Sequence, residues 1–440
     1  MKKNLPISAD VDKDKNLKIT EYFSSHTWDM KPPASSLLGD HEVSKVSEKL
    51  NGRSIALMIC GGIAAMRAPI LARALRKAGA QVTAFVSKEA LRYVTPDTLS
   101  WSCNRSVVTE LSPRAEHLGD GATYDAYLVA PATYNTVNKF ASGIADGLIT
   151  TTLSSALGLS EQGRCKILIV PTMHGSMHNS ILTHSLHRLA EYGVHIVKPR
   201  LDYGKNNIPS ESTLVNEVAR ALSTSPLKGK GILITGGPTP VCVDGVRRLT
   251  NKFTGRLSLK ILETLFCRGA EARLVLGHGS DQPPPELAHL VEWVPDYEHY
   301  RERVIQLSTL PTCWAGIFTA AVADYTPKTQ TLGKIESGQS ELTLSLTPTK
   351  KVIDEVKTQA KHLKMVTFKY QENVSHEQLM SIAQQRLNRF DAVVANRGED
   401  QSQSGDQVAW LCSDGVDPQR LVSKEGIAKG IADFLEHKQS

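Results

Sequence analysis

Two segments of this sequence share one design, in which a run of apolar residues ends in two consecutive glycines. The first is SIALMIC followed by Gly61 and Gly62, and the second is GILIT followed by Gly236 and Gly237. A short apolar run before a turn is typical of a buried strand, and glycines let a backbone approach a ligand closely. The repeated pattern predicts two α/β domains in series.

Apolar segments alternate with segments of helical periodicity along both halves of the chain. In the first half the predicted strands are SIALMIC, AQVTAFVS, AYLVAPA and KILIVPT, and one predicted helical stretch is TVNKFASGIADGLITTTLSSAL. In the second half they are GILITGGPTP, EARLVLGHGS, AGIFTAAVADYTP, KMVTFKYQEN and DAVVANRGED, with a helix around LSLKILETLFCRGA. Strands that are apolar throughout and alternate with helices indicate a parallel sheet covered on both faces.

The length of 440 residues suits two or three domains. We expect a flexible extension over residues 1–51, a first domain over 52–225 and a second over 226–440, joined near STSPLKGK. The net charge of +6 is not gathered into basic blocks, and no apolar run reaches a membrane-spanning length, so we expect neither a nucleic-acid nor a membrane partner. Seven scattered cysteines and the absence of a secretory signal favour a reducing cytoplasm.

Four loops of the first half each follow a predicted strand. They are CGGIAAMR, VSKEALRYVTP, APATYNTVNK and PTMHGSM, at residues 60–67, 86–96, 130–139 and 171–177. Ligands of open parallel sheets bind at the carboxyl ends of the strands, where loops lead into helices. Ser87, Thr133 and Asn135 offer hydroxyl and amide partners there. We therefore expect a ligand site at this edge of the first sheet.

The segment PTMHGSMHNS also permits a metal site as an interpretation. His174 and His178 would share one face of a helix, but His184 and His187 would point elsewhere, and no carboxylate or thiolate supplies a third ligand. We therefore expect no metal at these histidines. Met173 and Met177 are better explained as packing around a ring or at an oligomer contact.

Several of these strings resemble motifs of known families. GGIAAMR, APATYNT, GIADGLITT and PTMHGSM resemble the flavin-binding motifs GGIAAYK, APATANT, GIADNLL and PxMNxxM of the homo-oligomeric flavin-containing Cys decarboxylase family. ITGGPTPVCVDGVR, AAVADYTP, GKIES and FKYQEN resemble phosphopantothenate-cysteine ligase. Over about residues 52 to 437, the chain resembles the bifunctional phosphopantothenoylcysteine decarboxylase/phosphopantothenate-cysteine ligase family of coenzyme A synthesis.

The resemblance implies a fold, cofactors and two reactions. It implies a flavodoxin-like or Rossmann-like parallel-sheet flavoprotein domain, followed by a second Rossmann-like α/β domain. The second would use CTP and Mg²⁺ to join cysteine to 4′-phosphopantothenate through an acyl-cytidylate. The first would use FMN to oxidise the cysteine thiol, so that carbon dioxide leaves and an enethiolate remains, which is then reduced to 4′-phosphopantetheine. The family also implies a homo-oligomer with a trimeric flavoprotein core, or a dodecamer built from such trimers.

In the first half, the motif matches imply one catalytic residue and a set of ligand contacts. His117 stands thirteen residues before the APAT alanine, as the family's base does, and an imidazole suits proton transfer near neutral pH. Substrate contacts fall on His174 and Met177. Cofactor contacts fall on Gly61, Gly62, Ile63, Ser87, Ala130, Pro131, Thr133, Asn135 and Met173.

In the second half, the resemblance implies two catalytic residues. Asn251 matches the residue tied to the acyl-cytidylate, and Lys334, nine residues after Tyr325, matches a lysine that assists phosphate chemistry. The usual phosphate cradle SSGKMG is replaced by KFTGRLS, which keeps Gly255 and a cation at Arg256. Substrate contacts fall on Gly237, Pro238, Thr239, Asp244, Arg247, Asp324, Phe368 and Lys369.

Two departures from the motifs concern the decarboxylation. His174 replaces the Asn that helps hold the substrate carboxylate, and PRLDYGKNNIPS lacks the cysteine that the family carries on a flap. Lys205 and Tyr203 are other proton donors in that segment. Three hypotheses therefore stay open: the bifunctional coenzyme A enzyme, a paralogue acting with FMN on another substrate, and a non-catalytic FMN-binding regulatory protein.

Overall fold

The computed structural model describes residues 31, 37–118, 124–331, 333–338, 340–402 and 404–439. Residues Val43–Ser440 form one compact unit. Most of the extension predicted for residues 1–51 lies outside the described residues, although Leu50 is fully buried in the core of this unit. The predicted domain boundaries therefore stay predictions. Among the described helices, none has the length and apolar character needed to cross a membrane.

The first half of the described chain is built on a sheet of five parallel strands. The strands are β1 (Ser54–Ile59), β2 (Gln81–Val86), β3 (Ala126–Ala132), β4 (Lys166–Pro171) and β6 (His195–Ile196). Their order in the sheet is β2-β1-β3-β4-β6, and all seven residues of β3 are buried, as expected for a strand covered on both faces. This is the flavodoxin-like order, in which the chain changes direction across the sheet between β1 and β3. The predicted fold class of this half is confirmed.

Helices connect these strands and cover the sheet. They are Ala68–Lys77, Pro96–Cys103, Tyr134–Ala141, Leu148–Glu161, Ser180–Glu191 and Glu211–Ala221. The stretch predicted as one helix from TVNKF to SSAL is two helices, because the first ends at Ala141 and the second begins at Leu148. Gly143 follows the first helix with a φ of 73°, a value that favours glycine. The break leaves Asp146 on a loop rather than in a helix.

A small antiparallel sheet follows β4. It consists of β5 (Met173–His174), β8 (Lys205–Asn207) and β7 (Arg200–Asp202), in that order. Strands β7 and β8 form a hairpin whose two turn residues, Tyr203 and Gly204, have φ values of 50° and 66°. Positive φ at both positions is typical of tight hairpin turns. The segment PRLDYGKNNIPS therefore contains a hairpin whose strand β8 pairs with β5.

In the second half, the described residues contain an eight-stranded sheet in the order β13-β12-β9-β14-β17-β18-β19-β20. The first six strands are parallel and follow the Rossmann order 3-2-1-4-5-6, and the last two are antiparallel. Their bounds are β9 (Gly231–Gly236), β12 (Glu271–Gly277), β13 (Val291–Val294), β14 (Cys313–Phe318), β17 (Lys364–Gln371), β18 (Ala392–Arg397), β19 (Val408–Ser413) and β20 (Val416–Val422). A second α/β domain with a mixed sheet is thereby confirmed.

The remaining elements of this half are helices and two short ladders. The helices are Arg256–Cys267, Tyr297–Ser308, Val352–Gln359, His376–Leu387 and Ser423–Gln439. The ladders join β10 (Val241–Cys242) to β11 (Arg248–Leu249) and β15 (Tyr325–Pro327) to β16 (Leu346–Pro348). The stretch AGIFTAAVADYTP, predicted as one strand, ends its strand at Phe318 and resumes at Tyr325. The interruption places AAVAD in a loop at the carboxyl edge of the sheet.

The two halves share a buried interface. Helix Glu211–Ala221 of the first half packs against helix Arg256–Cys267 of the second, and one apolar cluster continues from the first half into the second. At this interface, Lys49 donates hydrogen bonds to Asn216 at 2.8 Å and to Glu263. Because Asn216 is almost fully buried, this polar contact lies within the interface and not at its rim.

Candidate functional site

A cavity of about 1000 Å³ lies at the carboxyl edge of the first sheet. Its walls come from the loops after β1, β2, β3 and β4, together with strand β8 of the hairpin. This is the point where the strand order of the sheet reverses, which is the usual place for a ligand in this fold. The volume is at the upper end of the range found for small-molecule and cofactor sites.

Most of the residues predicted for the first half line this one cavity. They are Gly61, Gly62, Ile63, Ser87, Pro131, Thr133, Asn135, Met173, His174 and Met177. Ala130 is fully buried within β3 and is not among the lining residues. Leu148 and Ile149 add apolar surface, while Thr133 and Asn135 add polar groups at the start of helix Tyr134–Ala141. An apolar surface beside hydroxyl, amide and helix N-terminal groups fits a flavin nucleotide.

The glycine pair has a structural reason in the packing of its loop. A Cβ atom on Gly61 would lie 2.3 Å from Cβ of Glu89, whereas one on Gly62 would lie 3.6 Å from the nearest atom of Thr133. Gly61 therefore allows the loop after β1 to pack directly against the loop after β2. Cys60, the preceding residue, is not reactive in this environment, because burial raises the pKa of its thiol to about 11.

His174 and the hairpin lie side by side in one wall of the cavity. Residues 173–174 form a strand, and residues 175–177 form a single 3₁₀ turn. His174 and His178 therefore do not share one face of an α-helix, as the metal interpretation required. Strand pairing places Lys205 directly opposite His174, and both residues line the cavity. Side chains of directly paired residues lie on the same face of an antiparallel sheet.

Hydrogen bonds fix the imidazole of His174 and the hairpin. The backbone N–H of Ser176 donates to Nδ1 of His174 at 3.3 Å, so the neutral ring carries its proton on Nε2. The buried side chain of Asn206 contacts Nδ1 of His178 at 2.6 Å. This contact ties His178 to strand β8 of the hairpin. Within the described part of the chain, no group of three or more His, Cys, Asp or Glu residues is placed to hold a metal ion.

The cavity also contains an ion pair that the sequence motifs did not predict. Lys139 contacts Asp146 at 2.6 Å, and both residues line the cavity. The hydrogen bond from Lys139 lowers the pKa of Asp146. Both residues lie in motifs that the sequence analysis quoted, but the break between two helices that exposes Asp146 was predicted as continuous helix. The sequence predicts Lys205 only as an alternative proton donor.

His117 lies on the loop after the short pairing of Val108 with Phe85, and it is not among the residues lining the cavity. Its Nδ1 atom is buried and has no hydrogen-bond partner within the described residues. Residues 119–123, directly after it, lie outside the described ranges. Within one chain, the structure therefore does not bring His117 to the other residues predicted for this half.

The residues predicted for the second half lie along the carboxyl ends of β9, β14 and β17. Asp324, Phe368 and Lys369 line a cavity of about 520 Å³, and Asn251 lines an open cleft of about 600 Å³ beside it. Tyr370 lines both. The replaced cradle residue Phe253 also lines the open cleft, where its ring meets that of Tyr370 edge to face at 5.7 Å.

Hydrogen bonds connect Asn251 and the loop after β9 to the AAVAD loop. The Asn251 side chain donates to the carbonyl of Ala321 at 2.8 Å, and the N–H of Ala321 donates to the carbonyl of Gly237 at 2.9 Å. The buried hydroxyl of Thr239 accepts the N–H of Ala323 at 2.8 Å. Pro238 pairs with Ala321 as an isolated bridge. These predicted contact residues therefore hold the two loops together.

Asp244 and Arg247 hold the loop that carries Lys334. The buried carboxylate of Asp244 accepts the N–H of Ile335 at 3.0 Å, and Arg247 donates to the carbonyl of Ile335 at 3.1 Å. Lys334 itself is exposed and is not among the lining residues of either cavity in this half. The structure therefore positions its backbone and leaves its side chain free to reach a ligand.

Comparison with known proteins matches each half of the chain to a known domain family. Residues 43–223 match the family described as Flavoprotein, and residues 227–438 match the DNA/pantothenate metabolism flavoprotein C-terminal domain. The chain is similar to the Coenzyme A biosynthesis bifunctional protein CoaBC of Thermococcus kodakarensis, with 32% identity over 397 residues that cover 89% of this chain and 96% of that protein.

Two other similarities concern single activities or single halves. A cysteine/cysteine sulfinic acid decarboxylase of an unknown prokaryotic organism is 30% identical over 280 residues, covering 60% of this chain and 75% of that protein. The crystal structure of the DNA/pantothenate metabolism flavoprotein from Streptococcus pneumoniae matches with a TM-score of 0.44 and 24% identity, over 48% of this chain and 100% of that chain. With both domains matched in order, and a relative covered almost end to end, the chain belongs to the family of coenzyme A biosynthesis bifunctional proteins.

Proposed function

We propose that this chain catalyses two successive steps of coenzyme A biosynthesis: CTP-dependent ligation of cysteine to 4′-phosphopantothenate, then FMN-dependent decarboxylation of the product to 4′-phosphopantetheine. The observation that carries the decarboxylase assignment is the convergence of the predicted flavin contacts on one cavity of about 1000 Å³. Bound there, FMN would take up the electrons of the thiol oxidation that allows the carboxylate to leave.

The first half supplies groups for binding and proton transfer around that chemistry. Nε2 of His174 and the ammonium of Lys205 are donors on one wall, suited to a substrate carboxylate. Lys205 lines the same cavity and is proposed to deliver a proton to the enethiolate carbon during reduction, a role that the absent flap cysteine would otherwise fill. His117 is proposed as the base for the thiol oxidation.

The position of His117 supports a homo-oligomer. Its side chain does not line the cavity of its own chain, so its proposed role requires either a movement of its loop or the cavity of a second subunit. We propose the second, with flavin sites between subunits of a trimer. The exposed apolar residues Ile63 and Met66, beside the glycine pair, are suited to burial in such a contact.

For the ligase half, the proposal assigns the acyl-cytidylate to Asn251 and the phosphates to Lys334. Asp324 pairs with Lys351 at the edge of the neighbouring cavity and is proposed to contact the nucleotide. Mg²⁺ binds through one or two protein carboxylates together with substrate phosphates, so a nucleotide-bound ion requires little more than Asp324 from the protein.

A second candidate function is decarboxylation of a smaller substrate, such as cysteine or its sulfinic acid. The observation that favours it is the hairpin of residues 200–207, which has no cysteine and pairs with a histidine where the family's motif has Asn. The similarity to a cysteine/cysteine sulfinic acid decarboxylase points the same way.

The test is mass spectrometry of products formed by the full-length protein with 4′-phosphopantothenate, cysteine, CTP and Mg²⁺. We expect 4′-phosphopantetheine, and FMN in the supernatant of the denatured protein. If phosphopantothenoylcysteine is the only product, and the protein does not consume it when it is supplied directly, the protein is a ligase without decarboxylase activity. Carbon dioxide released from free cysteine or cysteine sulfinic acid, without ligation, would favour the second candidate.

A further inference from the structure

The backbone alone specifies the register of the hairpin that carries Lys205 only weakly. Strand β8 pairs with β5 over only two residues. Its own residues are Lys205, Asn206 and Asn207, so the strand is polar on both faces. No buried apolar stripe can then select one register over its neighbours, and short strands of this kind are prone to slip. Something else must hold the hairpin where Lys205 lines the cavity.

One side-chain hydrogen bond attaches the hairpin to the rest of the chain. Nδ2 of Asn206 lies 2.6 Å from Nδ1 of His178, and Asn206 is only 6% exposed. An amide nitrogen can only donate, so Nδ1 of a neutral imidazole accepts this bond. The other side-chain hydrogen bonds of the hairpin, from Arg200 and Asn207 to Asp202, stay within it. Among the described residues, His178 is therefore the one side chain that hydrogen-bonds to the hairpin from outside.

Close packing sets the place at which His178 meets the hairpin. A Cβ atom on Gly175 would lie 2.1 Å from the carbonyl oxygen of Gly204, so the hairpin turn lies directly against the 3₁₀ turn that begins at Gly175. His178, an exposed residue, follows this 3₁₀ turn and reaches the buried amide of Asn206. Because Lys205 directly precedes Asn206, a bond that fixes one side chain also fixes the face on which the other leaves the strand.

We propose that His178 is a positioning residue for the proton transfer, because it holds Lys205 at the cavity wall through Asn206. A single buried polar contact is well suited to select one register of a short element. The inference rests on the proposed function, in which the ammonium of Lys205 gives one proton to the enethiolate carbon that lost the carboxylate. The two electrons that the flavin took up in the thiol oxidation return as a hydride to the carbon that bears sulfur, so the reduction is balanced.

A contact that only stabilises the fold is the alternative, and two variants separate the roles. His178→Phe keeps a ring but leaves the buried amide of Asn206 without an acceptor, so the melting temperature should fall. His178→Phe combined with Asn206→Leu removes both polar groups, so the melting temperature should recover. A purely stabilising contact predicts that the rate recovers with it. A positioning contact predicts that the rate stays low, because nothing then selects the register.

The first measurement is steady-state decarboxylation of supplied phosphopantothenoylcysteine by the full-length, flavin-loaded protein. For His178→Phe and the double variant we expect about a tenfold lower kcat for 4′-phosphopantetheine, with KM raised no more than about threefold, since His174 keeps its place. His178→Asn offers an amide oxygen near the place of Nδ1 and should restore kcat to within about threefold of the wild type. His184→Phe, at an exposed position of helix Ser180–Glu191, is the matched control.

The second measurement requires no turnover. Hydrogen–deuterium exchange of residues 200–207 should be about tenfold faster in His178→Phe than in the wild type, and should return to the wild-type rate in His178→Asn. Wild-type exchange or wild-type kcat in folded His178→Phe overturns the proposal, and so does recovery of kcat in the double variant. If His178→Phe does not fold, His178→Ala, which removes the same acceptor, takes its place.

The two measurements also distinguish this inference from the proposed function. If the wild type forms 4′-phosphopantetheine and His178→Phe matches it in kcat and exchange, the positioning role is removed and the decarboxylase remains. If the wild type forms none, the proposed reaction is removed. Faster exchange in His178→Phe, reversed in His178→Asn, would then still support His178 as the residue that holds the hairpin, and equal exchange would remove that role as well.

Discussion

The carboxylate of Asp244 accepts the backbone N–H of Ile335 at 3.0 Å and thereby holds the loop that carries Lys334. A second contact runs in parallel, from the N–H of Gly245 to the carbonyl of Gly333 at 2.7 Å. The hydrogen bonds from the backbones of Ile335, Val246 and Arg247 hold the pKa of Asp244 well below its usual range. The carboxylate is therefore ionised at neutral pH, and its stabilising effect is present above the ordinary carboxyl pKa and is lost as the pH falls from there through the lowered pKa.

Replacing this carboxylate should impair the ligase half alone. Asp244→Asn keeps one acceptor oxygen but puts an NH₂ group where the second oxygen accepts hydrogen bonds, so the Lys334 loop should loosen. We expect at least a tenfold slower CTP-dependent ligation, measured by product formation, with bound flavin unchanged. Asp414→Asn, an exposed turn residue, is the control. If Asp244→Asn ligates at the wild-type rate, the contact between Asp244 and the Lys334 loop is not needed for catalysis.

His117→Asn should keep bound flavin and abolish thiol oxidation, because an amide cannot take up the proton that an imidazole accepts near neutral pH. The measurement is decarboxylation of supplied phosphopantothenoylcysteine, with flavin absorbance recorded on the same sample. His187→Asn, at an exposed helix position, should leave the rate unchanged. An unimpaired rate in His117→Asn would remove the residue from its proposed role.

The hairpin offers two proton donors, and the structure distinguishes them. Lys205 lines the flavin-type cavity opposite His174, whereas Tyr203 is 89% exposed at the turn and does not line it. Lys205→Met should slow formation of 4′-phosphopantetheine at least tenfold, and Tyr203→Phe should stay within about twofold of the wild type. The reverse order would assign the proton to the turn tyrosine and require the hairpin to move.

Gly61→Ala should disturb the first cavity by crowding. The added Cβ would lie 2.3 Å from Cβ of Glu89 and 2.9 Å from its carbonyl carbon, so the loop after β2 must shift. We expect a loss of about 1–3 kcal/mol in the free energy of unfolding and reduced flavin content. Gly158→Ala, where the structure shows no atom within 4 Å of the added Cβ, should instead stabilise its helix by about 0.5–1 kcal/mol. Full flavin content in Gly61→Ala would contradict the close packing of the two loops.

Glu263 should make the contact between the halves sensitive to acid. Burial acts to raise the pKa of Glu263, but the charge of Lys49 and hydrogen bonds from Lys260 and Lys49 outweigh it and hold this pKa at about 2. Because the folded-state pKa lies below the ordinary value, the stabilisation is complete above pH 4.5 and is lost as the pH falls towards 2.

Urea unfolding at pH 7 and pH 3.5 tests this. Glu263→Gln should lower the free energy of unfolding at pH 7 by up to about 3 kcal/mol and flatten its pH dependence. Glu271→Gln, at an exposed ion pair with Arg220, should cost less than about 1 kcal/mol. If the free energy of unfolding of Glu263→Gln at pH 7 equals that of the wild type, the buried ion pair stabilises the fold no more than a glutamine amide does.

Local sequence patterns determined the fold class and the position of the first cavity. Apolar runs in alternation with helical periodicity specify parallel strands, and the carboxyl ends of parallel strands necessarily share one edge of the sheet. The loops after SIALMIC, AYLVAPA and KILIVPT therefore meet, as predicted, and the motifs on them identified the family. The roles of His117, Asn251 and Lys334 stay predictions.

Only the tertiary structure decided which side chains from distant segments share a cavity. The pairing of His174 with Lys205 depends on the register of a hairpin, and a shift by one residue would turn Lys205 to the other face. Thr367 and Arg386 line one cavity because helix His376–Leu387 packs on β18, the strand next to β17. Such contacts result from long-range packing, whereas sequence periodicity reports only which face of an element is buried.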